Sequence, residues 1–471
     1  MKIRRSNAFL LIAAIFLGEI AIILGGANSA YVHEFLFEYC LIAISYLVVC
    51  ISYFVAFDRD GMNFLHPITL VTVLYLCIFV LCPAYLIVIG DTTCHGAYVM
   101  DGCVKATLIF LAGYIAMLVG YNNTRIEYNE PQHLIVHVSN SAYVHNKIVI
   151  AAYVIWIVSW TISLIVSIKQ GRSLAYVISF GTQGYNNAVF NSYGDDGGLA
   201  FLGKMSNSMI IPWGIILISE RKRIFRIIIT MLTVSMFYIT GFRYMIVLMV
   251  LAYLCITVRV KGKKVKIGTL IFVTVLLIAF ISMLGYARAN MRLGKQIDWS
   301  GFNFEAVEYA LVSNFNIFLP FYGLVNTYPA EHFFTLGHSM FYESAIYFIP
   351  RAIWHTKPVA KISSSVAVAM MRSTNEFTIS TVGMAWPNIG EYYMEFGTIG
   401  VLLFMYLFGV LMKKSVSLYN SKSELDVVTY SMTLGVFFQL LTRGYTPNNM
   451  GMVVFLYLPL IMLYLIEPKR L

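Results

Sequence analysis

The chain is organised by repeated apolar runs, each long enough to cross a lipid bilayer as a helix. A hydrocarbon core of about 30 Å needs about 20 apolar residues per helix, and such runs recur from Phe9 to Ile466 with short polar gaps. They show no alternation of period two, which argues against a membrane β-barrel. With 59% hydrophobic and 12% charged residues over 471 positions, the sequence predicts an all-α polytopic membrane protein.

The runs predict about twelve transmembrane helices in one domain. We place them near residues 8–25, 35–57, 67–89, 104–121, 147–168, 200–219, 226–242, 244–260, 267–287, 397–412, 427–443 and 451–466. The first run continues past Glu19 without a small-residue cleavage site, so we interpret it as a retained helix. The chain then divides into helices 1–9 over 1–287, a long segment over 288–396, and helices 10–12 over 397–471.

The basic residues predict the orientation of these helices. The net charge of +10 comes from short clusters between spans, such as RKRIFR at 221–226 and RVKGKKVK at 259–266. They do not form the single basic stripe that is typical of nucleic-acid binding. Because short loops rich in Lys and Arg face the cytoplasm, we expect both termini inside and the segment 288–396 outside. Within that segment, 309–325 and 339–349 have the pattern of amphipathic or re-entrant helices.

Several familiar site motifs are missing from the sequence. It has no P-loop and no Gly-x-Ser-x-Gly elbow, and its outward loops lack an Asp-x-Asp pair. His133, His137 and His145 lie in a predicted cytoplasmic loop without nearby Cys or paired carboxylates, so we expect no metal and no cofactor. Cys94 and Cys103 bracket an outward loop, where they form either a disulfide or two free thiols.

Arginines occur at the outward ends of several predicted spans. An arginine at that depth either extends to the interface or meets an anion. Because four such helix ends and Arg351 converge on one face, an anion site competes with extension to the interface. Guanidinium groups bind phosphate through two parallel hydrogen bonds, so a lipid diphosphate is a natural ligand. The arginines at these helix ends that we assign to substrate binding are Arg243, Arg288, Arg292 and Arg443.

Acidic residues in the long segment are candidates for a general base. They are Glu305, Glu308, Glu331, Glu343, Glu376, Glu391 and Glu395. Glu391 and Glu395 are four residues apart just before a span, so they share one face if this stretch is helical. A carboxylate or histidine there could accept a proton from a sugar hydroxyl if burial moved its pKa toward neutrality. His355, four residues after Arg351, is a second base candidate.

Three stretches carry a family resemblance. IPRAIWHTKP at 349–358, Trp-Pro at 386–387 and GEYYMEFGTIG at 390–400 resemble the Wzy-type oligosaccharide repeat-unit polymerases. The Gly-x-Arg turn in the middle and the large outer loop before the last three spans are also similar to that family. The family-like positions are Arg243, Arg351, Lys357, Pro358 and Glu391.

The resemblance implies a fold like the C-type glycosyltransferases and a metal-independent glycosyltransferase of the bacterial inner membrane. It would join undecaprenyl diphosphate-linked oligosaccharides into O-antigen or capsular polysaccharide at the periplasmic face. The expected partners are that lipid-linked substrate, membrane lipid, a chain-length regulator and a flippase, with no nucleic acid. The expected catalytic residues are Arg351 and Glu391, which the resemblance implies, and His355, which is proposed from its chemistry alone. The resemblance also implies that Lys357 binds the diphosphate, and Arg372, whose spacing to Gly383 is similar to an Arg-Gly pattern in outward loops of some relatives, is a further substrate-binding candidate.

Two other functions fit parts of the pattern. An O-antigen ligase shares the architecture, and the GEYYMEFG segment favours the polymerase over it. A lipid-oligosaccharide flippase would carry its charges within the spans around a central cavity. Here the spans are nearly free of charge and the outer loop is long, which favours an enzyme over a transporter.

Overall fold

The computed structural model describes residues 17–27, 29–57, 65–94, 97–125, 142–169, 202–240, 243–259, 302–349, 353–358, 386–421 and 423–466, with isolated helical positions between 268 and 299. In chain order the helices are α1 Leu17–Ala27, α2 Leu36–Phe57, α3 Pro67–Ile89, α4 Cys103–Asn123, α5 Ala142–Lys169, α6 Ile210–Ser219, α7 Arg223–Thr240, α8 Arg243–Arg259, α9 Phe304–Phe315, α10 Phe318–Thr327, α11 Ser344–Tyr347, α12 Asn388–Asn420, α13 Glu424–Thr442 and α14 Thr446–Ile466. A π-helical turn, Cys77–Leu81, lies inside α3, and another, His338–Glu343, runs into α11. Two short strands, β1 Thr93–Cys94 and β2 Ala97–Tyr98, pair antiparallel.

Seven described helices are long and apolar enough to cross a membrane. They cover Leu36–Val55, Pro67–Ile89, Met100–Asn123, Asn146–Lys169, Asn388–Asn420, Leu425–Thr442 and Thr446–Ile466, and each coincides with a span predicted from the sequence. Shorter apolar helices, Leu17–Ala27 and Met245–Arg259, fall on two further predicted spans. The chain is therefore a multi-pass helical membrane protein, and the total of twelve spans stays a prediction.

The outer surface of the bundle is apolar, as a bilayer requires. On α2, Phe37, Ile44 and Ile51 follow one another at intervals of seven residues and are 67%, 55% and 56% exposed. That spacing places them on one stripe of the helix. A stripe of exposed large apolar side chains over about four turns is unfavourable in water and suits contact with lipid tails.

Among the described helices, α4 and α12 make the most extensive contact, and glycines allow their backbones to approach. A Cβ atom on Gly409 would lie 2.0 Å from the carbonyl oxygen of Met117, and one on Gly120 would lie 2.1 Å from that of Tyr406. Small residues at such contacts are typical of membrane helix packing, since the backbones can then touch. This contact fixes the position of α12, which carries part of the site described below.

We expect Gly409→Ala to destabilise the protein, because the new methyl group meets backbone that cannot rotate away. Overpacking costs about 1–3 kcal/mol, while the gain in helix propensity is at most about 1 kcal/mol. Thermal unfolding in detergent measures the difference. Gly203→Ala is the matched control, since its Cβ would meet Val166 at an ordinary 3.6 Å. Equal unfolding temperatures for the two variants would contradict the close contact.

The buried apolar residues form two main clusters. The first joins α2, α3, α4, α10 and α12, and the second joins α5, α6, α7, α8, α13 and α14. The predicted amphipathic segment 309–325 divides between α9 and α10. Because every residue of α10 from Phe318 to Val325 is buried, this helix lies inside the protein, as a re-entrant segment does.

The helix α12 is interrupted near its start. Gly397 has φ +64°, a left-handed conformation that favours glycine. Just before this break, the carbonyl oxygens of Met394 and Glu395 accept hydrogen bonds from the backbone N–H groups of Thr335 and Leu336, at 3.1 and 3.0 Å. The first turns of α12 are thereby joined to the loop that precedes the π-helical turn.

The disulfide suggested for the outward loop is not formed in the structure. Cys94 and Cys103 are both buried free thiols. Cys94 lies in β1 opposite Ala97, whereas the sulfur of Cys103 lies 4.0 Å from the Thr107 hydroxyl oxygen, one turn along α4. Burial raises the pKa of Cys94 to about 12, so its thiol stays protonated at neutral pH.

Candidate active site

Three glutamates meet at one end of the bundle. Glu391 and Glu395 lie one turn apart on the first turns of α12, and Glu343 ends the π-helical turn. The turn between α13 and α14 packs against them through hydrogen bonds from Tyr445 and Thr446. The three residues are 1%, 0% and 7% exposed. Buried carboxylates need hydrogen-bond donors, and the donors differ among the three.

Glu395 is fully engaged by the segment that covers it. One carboxylate oxygen accepts the backbone N–H of Gly337 at 2.5 Å. The other accepts the backbone N–H of Ser339 at 2.8 Å and the Ser339 hydroxyl. Three donors converge on this side chain, so it holds the π-helical turn onto α12.

Glu391 binds the turn between α13 and α14. Its oxygens accept the backbone N–H of Thr446 at 2.9 Å and the Thr446 hydroxyl at 2.6 Å. The Ser339 hydroxyl oxygen lies 3.1 Å from Glu391, so this serine lies between the two carboxylates. The prediction that Glu391 and Glu395 share one helical face is confirmed by these common contacts.

Glu343 has a different environment. One oxygen accepts the Tyr445 hydroxyl at 2.9 Å, and the other lies 3.6 Å from Nδ1 of His338. His338 is 55% exposed, so this side of Glu343 leads toward the surface. Burial raises the pKa of Glu343, the Tyr445 hydrogen bond and His338 lower it, and the charge of Glu395 raises it further. A carboxylate with a raised pKa and an open side is suited to take up a proton.

The structure brings some of the sequence-predicted residues to this end. Arg443 is exposed at the end of α13, three residues before Thr446. The Lys357 ammonium donates to the carbonyl oxygens of Tyr347 and Ile349 at 3.1 and 2.9 Å, and His355 is exposed nearby in sequence.

Other predicted residues are not placed by the structure. Arg243 begins α8, but its side chain is outside the described part. Four predicted arginines lie outside the described residues altogether: Arg288, Arg292, Arg351 and Arg372.

Sequence reasoning did not single out most of the residues that build the site. The sequence indicates Glu343 only as one of seven acidic candidates and gives no indication of Ser339, Tyr445 or Thr446. One signal was available, since His338, Ser339 and Glu343 are polar positions within the aromatic stretch HSMFYES. Within the described residues, no three His, Cys, Asp or Glu side chains are grouped to hold a metal ion.

The fold and site together define a class, a multi-pass membrane protein with a carboxylate site at one end of its helical bundle. The family model of the O-antigen polysaccharide polymerase Wzy matches residues 8–470, nearly the entire chain. The chain belongs to this family, and its function is the polymerisation of O-antigen repeat units. Neither a curated protein nor a solved structure matches the chain.

Proposed function

We propose that the chain is a metal-independent glycosyltransferase in which Glu343 is the general base. The reaction moves a growing glycan from undecaprenyl diphosphate onto the non-reducing end of a newly delivered, lipid-linked repeat unit. The observation that carries this proposal is the contrast among the three buried glutamates. Glu391 and Glu395 each accept backbone N–H groups, whereas Glu343 accepts one hydroxyl and faces a half-exposed histidine.

The transfer needs one proton acceptor and a stabilised leaving group. The acceptor hydroxyl gives its proton to Glu343 while its oxygen bonds to the anomeric carbon of the donor glycan. The bond from that carbon to the diphosphate breaks, and the diphosphate leaves with the electron pair. Cationic side chains at the site stabilise the negative charge that develops on the diphosphate.

The assignment differs from the sequence-based one in the role of Glu391. Its oxygens already accept the Thr446 N–H and hydroxyl, so we assign it as a positioning residue that fixes the α13–α14 turn. His355 stays a second base candidate. Arg443, on the same turn as Tyr445, and Lys357 are two described cations from the sequence-based set that we propose for the diphosphate. The same role is proposed for Arg243, Arg288, Arg292, Arg351 and Arg372.

The charges at the two ends of the bundle support an orientation with the site in the periplasm. The end opposite the site carries Arg125 after α4, Arg259 at the end of α8, and Lys413 and Lys414 toward the end of α12. Positively charged ends face the cytoplasm. We therefore propose an inner-membrane protein with cytoplasmic termini and an outer segment over 288–396. Repeat units must be delivered to that face, which makes a flippase a proposed partner. A chain-length regulator is proposed from the family resemblance.

The pH dependence of polymerisation tests the role of Glu343. A base works only when ionised, so the rate should fall as the pH drops through the pKa of Glu343, which lies above that of an ordinary carboxyl group. Tyr445→Phe removes a hydrogen bond that lowers this pKa, so the acid limb should move to higher pH. At high pH the variant should approach the wild-type rate. The measurement is the rate of polymer formation from purified lipid-linked repeat units across pH.

Tyr309→Phe provides the control for this experiment. Tyr309 lies on α9 and is 69% exposed, so its hydroxyl should not affect the profile. An acid limb that stays in place in Tyr445→Phe would contradict Glu343 as the base.

A further inference from the structure

Two ammonium groups lie against one aromatic ring beside the three glutamates. The Lys204 nitrogen lies 4.5 Å from the centroid of the Tyr347 ring, and the Lys357 nitrogen lies 5.9 Å from the same centroid. Lys204 also donates to the side-chain oxygen of Asn448 at 2.9 Å. The two lysines come from distant parts of the chain, so the fold alone brings these charges together.

This pair of charges has a fixed position relative to the proposed base. Tyr347 follows Glu343 by four residues on the same helical stretch, which is one turn or about 6 Å along the axis. Asn448 follows Tyr445, the hydrogen-bond partner of Glu343, by three residues at the start of α14. Glu343 and Tyr347 therefore lie one turn apart on one helical stretch. Tyr445, which binds Glu343, and Asn448, which binds Lys204, lie about one turn apart at the start of α14.

The structural role of Lys357 is partly accounted for, and that of Lys204 is not. Lys357 donates to two carbonyl oxygens at the end of α11, which is a favourable place for a cation. Lys204 is partly buried and has three donor hydrogens, yet its described acceptor is one neutral amide oxygen. Within the described residues, no carboxylate lies within 4.0 Å of its nitrogen. Two like charges on one ring repel each other, and a bound anion would remove that cost.

We propose that Lys204, Lys357 and Asn448 form an anion subsite for the diphosphate of the lipid-linked substrate. The identity of the anion rests on the proposed function, whereas the existence of the subsite rests on the contacts above. The two ammonium groups bind diphosphate oxygens as point charges, and Asn448 orients Lys204. A separation of about one helical turn leaves space for the reacting carbon between the attacking oxygen near Glu343 and the leaving oxygen near Lys204.

The first test uses the unmodified full chain in detergent, without turnover. An amine-reactive reagent is applied with and without farnesyl diphosphate, and modified lysines are quantified by mass spectrometry. We expect the diphosphate to protect Lys204 at least tenfold. Lys222 is the internal control, because its nitrogen also lies over an aromatic ring, Phe225 at 5.7 Å, but outside the site. Equal labelling of Lys204 with and without the diphosphate would overturn the subsite.

The second test compares Lys204→Met with the matched Lys222→Met variant. We expect farnesyl diphosphate to bind at least tenfold more weakly to Lys204→Met and with unchanged affinity to Lys222→Met. Lys204→Arg keeps the charge and should bind within a few-fold of the wild type. Inorganic pyrophosphate should bind the wild type more weakly than farnesyl diphosphate. Equal affinity for the two would identify a site for free diphosphate and reject the substrate assignment.

Binding and activity measurements distinguish a failure of the Lys204 subsite from a failure of Glu343 as the general base. Glu343→Gln should bind farnesyl diphosphate as the wild type does, because it changes no residue of the subsite. If Lys204→Met binds normally while Glu343→Gln is inactive, the subsite is wrong and the base assignment stands. If Lys204→Met loses affinity while Glu343→Gln remains active, the subsite stands and the base assignment is wrong.

Discussion

Glu343→Gln is expected to stop polymer formation in a protein that still folds. The amide has nearly the same shape and can still accept the Tyr445 hydrogen bond, but it cannot take a proton from a sugar hydroxyl. Loss of a general base lowers the rate by about 10²–10⁴-fold. Burial disfavours the ionised form of Glu343, so a neutral amide should leave the unfolding temperature unchanged or slightly higher. The two measurements are polymer formation from lipid-linked repeat units and thermal unfolding in detergent.

Glu305→Gln is the matched control for this substitution. Glu305 lies in the first turn of α9 and is exposed, so both its activity and its stability should match the wild type. Polymer made at the wild-type rate by Glu343→Gln would exclude it as the base and return His355 to consideration. A protein that lost activity only through unfolding would be recognised by its lower unfolding temperature.

Glu395→Gln is expected to abolish polymer formation and to lower the unfolding temperature of the protein. Both oxygens of Glu395 accept donors, Gly337 N–H on one and the Ser339 N–H and hydroxyl on the other. A glutamine has one oxygen and one NH₂ group, so either orientation of the amide places a donor against a backbone N–H. A buried donor without an acceptor costs about 1–3 kcal/mol. The loop should then detach from α12, and with it the helical stretch that carries Glu343.

Glu343→Gln is the matched comparison for Glu395→Gln. The two substitutions make the same chemical change in glutamates of the same cluster. We expect the first to lower the unfolding temperature and increase proteolysis of the 330–349 segment, and the second to do neither. An active Glu395→Gln protein of wild-type stability would contradict the role of Glu395 as the residue that fixes the loop.

The membrane helices could be predicted from the sequence because their determinant is local. A run such as 35–57 is apolar in itself, and the structure places α2 over Leu36–Phe57. The pairing of Glu391 with Glu395 was likewise predicted, since a spacing of four residues defines a helical face without reference to other segments. The buried position of α10 was not predicted, because its composition suits a membrane surface as well as a protein interior.

The remaining parts of the site depend on which distant segments meet. Glu343 is one of several glutamates in the long outer segment, and only the contact with Tyr445, 102 residues away along the chain, distinguishes it. Lys204 lies 244 residues before Asn448, and its sequence neighbourhood contains no motif. Hydrophobic periodicity and residue spacing describe one segment at a time, so they do not predict such long-range contacts.

The break at Gly397 has a mechanical consequence for the two carboxylates on α12. A continuous helix would transmit every tilt or rotation of its membrane-spanning part directly to Glu391 and Glu395. Here the first turns are held by the loop through Thr335 and Leu336 and by the α13–α14 turn through Thr446, while the break at Gly397 separates them from the long helix. We therefore expect the carboxylates to keep their positions when the long part of α12 adjusts its tilt to bilayer thickness.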